Sequence, residues 1–384
     1  MNITVYSVLM AIIWCNVFTT VVALIRRRNS FIIHFSILPL IFLVFVSVFR
    51  LLFSIEFPIT TVVRSEVILP VIIVFFTEPL FVIERINAAV SIANILVAIW
   101  AGGCFYYIQK YLVQLIRLNK NLAAIPCTTD EQILSVLNKI MAESGKYYPV
   151  KIIKSTAVIS PMVVGFFKPT IILPDILFSD SELKNILLHE LTHFLHKDAW
   201  TKLTMYMIMS MFWWNPFIHL LNSDMDHILE IKCDLSLSSK WDEEKRLQYL
   251  ESITKIARRA RSQKSLFNTP PHAAALISTK GSSRTEQRIH LVLGTEPKKR
   301  GYNLQSLLIC GLALLALISS YTFVFQPARF PAAESIYEDF FLVTPENAYL
   351  VINEDNTYSL YADGQFKLVL DQINCEPYLS LPIK

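Results

Sequence analysis

Residues 189–193 read His-Glu-Leu-Thr-His and lie near the end of an apolar segment that predicts a helix. His189 and His193 are four residues apart, so on a helix both imidazoles lie on one face, about 6 Å apart along the axis. Two imidazoles at this separation can bind one zinc ion, and Glu190 then lies beside the metal as a general base. The alternative interpretation is a pair of ordinary histidines on a helix surface.

A capping box predicts where this helix begins. Ser179 occupies the N-cap position and Glu182 follows three residues later, the spacing at which two such residues cap each other. A buried stripe follows, formed by Ile186, Leu187, Leu188, Leu191, Phe194 and Leu195. His196 also falls on the motif face, but it lies about 10.5 Å along the axis from His189, too far for Zn–N bonds of about 2.1 Å. The third ligand therefore has to come from another segment.

A helical segment beginning near Ser223 contains the candidate third ligand. Residues 229–234 read LEIKCD, and Glu230 lies there in an otherwise apolar stretch. Asp234 follows one turn later on the same face, where its carboxylate can orient a ligating histidine. We interpret Cys233 as a packed small residue, because a fourth protein ligand would close the metal site. A solvated acidic helix face is the alternative interpretation of Glu230.

Four stretches of the chain occur in the order of a known family. They are SPMVVGFFKPTIILPDIL at 160–177, HELTHFLHKD at 189–198, WWNPF at 213–217 and EIKCD at 230–234. With these stretches, the sequence from residue 1 to 326 resembles the BlaR/MecR family of membrane zinc metallopeptidases. Members of that family that sense β-lactams end in a large penicillin-binding sensor domain, and we expect this chain to lack one.

The resemblance implies a set of site residues. His189, His193 and Glu230 are then the ligands of one zinc ion per chain. Glu190 is then the catalytic base, and Asp234 does not bind the zinc but orients a ligating histidine. The resemblance also implies a cytoplasmic protease of the antirepressor type, which an outside sensor switches on. Such a protease cleaves itself and leads to the loss of a DNA-binding repressor.

The composition is that of a membrane protein. Hydrophobic residues make up 53% of the chain and charged residues 17%, with a mean hydropathy of +0.45. An ordinary soluble domain has about 25% charged residues. Four uncharged apolar runs are long enough to cross a bilayer, which takes about 20 residues. They are residues 3–25, 31–49, 86–108 and 304–325.

Basic residues beside these runs predict the orientation in the membrane. Arg26, Arg27 and Arg28 place the first loop in the cytoplasm and the N-terminus outside. Basic clusters at 110–120 and 298–300 are also cytoplasmic if three spans precede the protease domain and one follows it. The predicted location is a bacterial-type cytoplasmic membrane, with several spans and both termini outside.

The predicted fold class is therefore a multi-span α-helical membrane protein. It has a cytoplasmic, mostly α, zincin-like (α+β) metalloprotease domain and a small β-rich outer tail. The predicted segments are three spans in 1–120 with an outer loop at about 50–85, the protease domain at 121–302, a fourth span at 303–326 and the tail at 327–384. In the tail, alternating residues and the pair Asp363-Gly364 predict a three-stranded meander.

Two further apolar stretches affect the number of spans. Residues 68–77 are too short to cross, and we expect them to lie in the outer interface. Residues 203–221 are long enough to cross, but a single crossing would separate Glu230 from His189. We expect instead a helical pair, broken at Asn215-Pro216, that is buried or dips into the membrane. The alternative is that Glu230 is not a ligand.

Two features of the protease domain concern the substrate. Residues 150–153 and 170–173 predict strands, and in zinc proteases of this type an edge strand beside the motif helix commonly binds an extended substrate. An ordinary packing strand is the alternative. Residues 262–284 are polar and loop-like. We expect the protease to cut this loop in its own chain or in a sister subunit, and an ordinary linker is the alternative.

The expected function is that of a membrane-embedded zinc endopeptidase in signal transduction, acting by self-cleavage or by inactivation of a cytoplasmic transcriptional repressor. The expected partners are the lipid bilayer, a protein substrate, an extracytoplasmic signal and a second copy of the chain in a homodimer. Direct nucleic-acid binding is not expected. The alternatives are a quality-control protease of the HtpX type and a non-proteolytic receptor with a structural metal site.

Overall fold

The computed structural model describes residues 3–83, 88–156, 158–262, 274–275, 282–294, 304–328, 347–353, 357–362, 364–370 and 381–383. The helices are α1 Val5–Arg26, α2 Asn29–Phe35, α3 Leu38–Leu52, α4 Ile68–Thr77, α5 Ile92–Ala124, α6 Glu131–Ser144, α7 Asp180–Leu195, α8 Asp198–Met211, α9 Pro216–Ser238, α10 Glu243–Ser262, α11 Ser282–Gly294 and α12 Leu304–Ser319. The strands are β1 Thr61–Ser65, β2 Pro79–Ile83, β3 Ala88–Ser91, β4 Lys151–Ser155, β5 Met162–Val164, β6 Thr170–Pro174, β7 Ala274–Ala275, β8 Phe323–Pro327, β9 Ala348–Ile352, β10 Tyr358–Ala362 and β11 Gln365–Leu370.

Apolar helices contain the candidate membrane spans. The described residues contain two helices, α1 and α5, that are long and apolar enough to cross a membrane. The pair α2 and α3 meets the same criteria together, with a bend of 103° between its helices. Pro39 explains the break within the predicted run 31–49, because proline is tolerated in the first turn of a helix but not in its interior. The apolar helices α4 and α12 are shorter, with 10 and 16 residues.

The apolar stretch 203–221 is broken where the sequence predicts. Helix α8 ends at Met211, and α9 begins at Pro216. Asn215 caps α9, since its Oδ1 accepts a hydrogen bond from the backbone N–H of Phe217 at 2.9 Å. Helix α9 contacts both α8 and α7. The predicted helical pair is confirmed, and its second helix returns to the helix that contains the motif.

A four-stranded sheet lies beside α7, in the order β4-β6-β5-β7. Strands β4 and β6 are parallel, and β5 is antiparallel to β6 and to β7. The predicted strands at 150–153 and 170–173 correspond to β4 and β6. Buried residues of α6, α7, β4 and β6 form one hydrophobic core, which fixes the motif helix against the sheet.

The predicted loop at 262–284 lies mostly outside the described residues. Two of its residues form β7, which pairs with Met162 and Val163 of β5. Its end is not a loop, because α11 begins at Ser282. The polar composition predicted a loop, but Arg284 bonds to α9 and such tertiary contacts override weak local propensity.

The chain forms two compact units, and α7, α9 and the four-stranded sheet belong to the first. This unit contains Met1–Arg64 and Thr77–Gln326, and the second contains Ser65–Phe76 and Pro327–Lys384. In the second unit β9, β10 and β11 form an antiparallel three-stranded sheet with β10 in the centre. The predicted meander is confirmed for these strands.

Candidate metal centre

Helix α7 places the motif on its buried face. The predicted capping box is present: Ser179 Oγ accepts from the backbone N–H of Glu182 at 3.3 Å, and the Glu182 carboxylate accepts from the N–H of Ser179 at 2.9 Å. His189 and Glu190 are fully buried, and His193 is 1% exposed. This burial excludes the alternative that the two residues are ordinary histidines on a helix surface.

The two imidazoles face each other through their Nε2 atoms, which are 3.1 Å apart. Each Nδ1 atom has its own partner on the other side of the ring. His193 Nδ1 lies 2.7 Å from a carboxylate oxygen of Asp198, and His189 Nδ1 lies 2.7 Å from the hydroxyl of Tyr249. That hydroxyl donates its proton to Asp234 Oδ1 at 2.5 Å, so its oxygen accepts from His189.

These bonds determine which nitrogen of each ring is protonated. With both Nδ1 atoms donating, both Nε2 atoms present lone pairs, and two acceptors cannot bond to each other. A cation between them resolves this conflict. The arrangement therefore fits a metal ion, because neutral imidazoles bind metals through the nitrogen opposite the one that a second residue holds.

The predicted third ligand is brought to the same place by α9. The two carboxylate oxygens of Glu230 lie 3.5 Å from Nε2 of His189 and 3.5 Å from Nε2 of His193, respectively. In a tetrahedral zinc site with bonds of about 2.1 Å, ligand atoms are separated by about 3.4 Å. The three side chains thus have the mutual spacing that such an ion requires.

Cys233 is a second candidate for the third ligand. Ligand atoms of His189, His193 and Cys233 all lie within 4.8 Å of one another. However, Cys233 Sγ lies 3.5 Å from Nδ1 of His189, the nitrogen already held by Tyr249, and it donates to the His189 carbonyl at 3.4 Å. A thiol that donates a proton is not the thiolate that binds zinc. Its contacts therefore favour a packed thiol.

Glu190 lies beside the two histidines with no partner of its own. Both of its carboxylate oxygens are buried, and neither has a hydrogen-bond partner among the described residues. Burial raises the pKa of Glu190 to about 7. A carboxylate with a pKa near neutrality and free lone pairs is suited to proton transfer.

Asp234 contacts His189 differently from the expectation. Its Oδ1 is 3.5 Å from Nδ1 of His189, and the hydroxyl of Tyr249 bonds to both atoms. Asp234 therefore orients the histidine mainly through Tyr249. Sequence reasoning missed Tyr249, because it lies 60 residues after His189 on α10 and no spacing rule connects them.

Two other residues of the centre were also missed. Asp198 begins α8, five residues after His193, and an acidic residue so close to the motif could have been recognised as a partner of that histidine. Arg288 on α11 lies 3.1 Å from a Glu230 oxygen and bonds to Asp234 through Nε and Nη2, at 2.6 and 2.9 Å. Arg288 lies far from Glu230 and Asp234 in the sequence, so no local sequence pattern indicated that it contacts them.

A small apolar cavity lies between β5 and the motif helix. It is lined by Val163, Gly165, Phe166, His193, Phe194, Lys197, Ala199 and Trp200. The ring of Trp200 contacts Phe166 and Phe167, with centroids 4.9 and 5.6 Å away. Phe167 and Trp200 are exposed, so the cavity opens next to a hydrophobic surface.

Comparisons with known proteins identify the family of this chain. The sequence profile described as BlaR1 peptidase M56 matches residues 6–292. "Regulatory protein BlaR1" of Bacillus licheniformis is 26% identical over 251 residues, which cover 63% of this chain and 41% of the relative. "Methicillin resistance mecR1 protein" of Staphylococcus aureus is 22% identical over 292 residues, 72% of this chain and 48% of the relative. The chain thus spans less than half the length of these relatives. Because the family profile covers most of the chain, the protein belongs to the BlaR1 peptidase M56 family.

Proposed function

We propose that the protein is a membrane-embedded zinc endopeptidase that acts in signal transduction. One observation carries the proposal: the Nε2 atoms of the two imidazoles lie 3.1 Å apart, and each lies 3.5 Å from an oxygen of the Glu230 carboxylate. Membership of a peptidase family supports the reaction type, and the apolar helices α1 and α5 support a membrane location.

In this proposal His189, His193 and Glu230 hold one zinc ion. Two imidazoles and one carboxylate would be the protein ligands, the number that catalytic zinc sites have. Bound zinc polarises the peptide carbonyl and lowers the pKa of water. Asp198 and the pair Tyr249–Asp234 keep each imidazole in the tautomer that this ion needs.

Glu190 is the general base of the proposed reaction. Its unpartnered carboxylate accepts a proton from the attacking water and later passes it to the leaving amine. Its position next to His189 on α7 is fixed by the helix, so the base and the two histidine ligands move together. The burial of Glu190 excludes competing bulk water from this transfer.

We further propose that the loop around β7 is a substrate of the protease. Support comes from the pairing of β7 with β5, since an extended peptide added to a strand beside the motif helix is a recognised mode of peptide capture. A sister subunit in a homodimer is the alternative source of this loop.

The proposed topology places the protease domain on the cytoplasmic side, with both termini outside. An outside signal then reaches the catalytic centre through the spans, and a cytoplasmic repressor is the proposed second substrate. Cysteine labelling in intact cells tests this arrangement, in a Cys375→Ser background. A membrane-impermeant reagent is expected to modify an engineered thiol at Gln365 but not one at Asp130. Modification of the thiol at Asp130 would invert the topology.

Mass spectrometry of the wild type and Glu190→Gln, expressed side by side, tests proteolysis. We expect new N-termini between residues 262 and 284 in the wild type, and we expect them to vanish in the variant. Cleavage in both proteins would show that another protease acts. Family membership does not favour a quality-control protease of the HtpX type. A receptor with a structural metal site would keep signalling in Glu190→Gln.

A further inference from the structure

Arg288 is a buried arginine of α11 that hydrogen-bonds to Asp234 and forms an ion pair with Glu230, two acidic residues of the candidate metal centre. It is 4% exposed. Its Nε and Nη2 atoms donate to the two oxygens of Asp234 at 2.6 and 2.9 Å. This bidentate geometry fixes the orientation of the guanidinium relative to the carboxylate. Its Nη1 atom forms an ion pair with Glu230 Oε2 at 3.1 Å.

This guanidinium reaches two of the three proposed ligands. It contacts Glu230 directly, and it reaches His189 through Asp234 and Tyr249, each step a hydrogen bond. The other oxygen of Glu230, Oε1, lies 3.5 Å from Nε2 of His193. The oxygen that pairs with Arg288, Oε2, lies 3.5 Å from Nε2 of His189. Arg288 thus holds the carboxylate at one oxygen while both oxygens face the imidazoles.

Helix α11 is fastened to the same unit by a row of polar contacts. Arg284 donates to the carbonyl and hydroxyl of Ser223, both at 3.0 Å. Gln287 donates to the carbonyl of Arg26 at 2.7 Å, and it bonds to His227 at 2.9 Å. Positions 284, 287 and 288 share one helix face, so the docking of this face determines where the guanidinium of Arg288 lies.

We propose that Arg288 is a positioning residue that sets the orientation of Glu230 as a metal ligand, and that the docking of α11 thereby controls metal affinity. This inference rests on the proposed zinc site. In sequence, α11 lies between β7 and α12, whereas Glu230, Asp234 and Tyr249 precede β7. A cut near β7 would therefore leave Arg288 on a different polypeptide from the residues it holds.

The direction of the change in metal affinity distinguishes a positioning role of Arg288 from an effect of its charge alone. A guanidinium close to a cation site repels the cation, so removing a charge alone would strengthen metal binding. Losing the ion pair that orients a ligating carboxylate weakens metal binding, typically about 10- to 100-fold. Lysine keeps the charge but cannot form the bidentate pair, so it separates the two contributions.

The experiment measures Co²⁺ affinity from visible absorption, using the full chain in detergent micelles and a Glu190→Gln background that prevents cleavage. We expect Arg288→Met to bind Co²⁺ about 10- to 100-fold more weakly, and Arg288→Lys to fall between it and the parent. Arg246→Met is the matched control, because Arg246 is similarly buried and its Nε donates to the carbonyl of Ser238 at the end of α9. It should bind as tightly as the parent.

The outcomes separate this inference from the proposed function. Unchanged or tighter binding in Arg288→Met overturns the positioning role. If Arg288→Met does not fold, Arg288→Lys decides, since parent-like affinity there also overturns it. Glu230→Ala is measured in parallel: parent-like binding in that variant removes the proposed ligand set itself. Dependence on Glu230 without dependence on Arg288 leaves the zinc site intact and refutes only the inference.

Discussion

At the scale of single residues, the candidate metal centre is defined by the residues that hydrogen-bond to the Nδ1 atom of each histidine. His193 bonds to Asp198, and His189 bonds to Tyr249, which in turn bonds to Asp234. These bonds place a proton on both Nδ1 atoms and leave both Nε2 atoms to bind a cation. The pattern of donors, more than the presence of two histidines, is what argues for a metal ion.

The identity of the third ligand gives a direct prediction. Glu230→Ala is expected to lose zinc and proteolysis together, because it removes the carboxylate that lies 3.5 Å from each Nε2 atom. Cys233→Ala is expected to keep about one zinc per chain, because its thiol faces the occupied side of His189. Metal analysis of the purified chains after dialysis measures both. Zinc retained by Glu230→Ala and lost by Cys233→Ala would exchange their roles.

At the scale of elements, local signals were sufficient for the motif helix and its neighbour. The capping box at Ser179 and the break at Asn215 are each determined by residues close together in the sequence, so both could be predicted. Tyr249 and Arg288 could not be predicted, because they reach the centre through the packing of α10 and α11. Pro39 could have indicated the bend before α3, but the apolar composition of residues 31–49 favoured one straight span.

The N-cap of α7 gives a prediction about stability. Ser179→Ala removes the hydroxyl that accepts from the N–H of Glu182, which costs about 1 kcal/mol at a typical N-cap. Thermal unfolding in detergent is expected to shift down by about 2–4 °C for a domain of this size. Ser135→Ala is the control, since Ser135 is an exposed residue within α6. Equal shifts in the two variants would contradict a capping role.

At the scale of the whole molecule, the order of elements connects cleavage with the metal centre. The residues that precede β7 include every proposed ligand and the base. The residues that follow it include Arg288 and the apolar helix α12, which packs on α3. A cut near β7 divides the centre between two polypeptides. If the proposed self-cleavage occurs there, we expect it to loosen Arg288, the residue that we propose orients Glu230.

An engineered cut tests this consequence without relying on the protease itself. A recognition sequence for a site-specific protease is inserted within residues 263–273 of Glu190→Gln, and Co²⁺ affinity is measured before and after cutting. We expect affinity to fall, but by less than the roughly 10- to 100-fold expected for Arg288→Met, because α12 still packs on α3 and keeps α11 nearby.

The same cut in Arg288→Met provides the control. If the cut acts through Arg288, it should produce no further loss in that variant, because the two changes remove one interaction and are not additive. An additional loss would mean that cleavage disturbs the ligands by another route. Unchanged affinity after the cut in the parent would mean that α11 stays docked without its covalent link to β7. In that case cleavage would signal through the released loop or a separate substrate, and not through the metal centre.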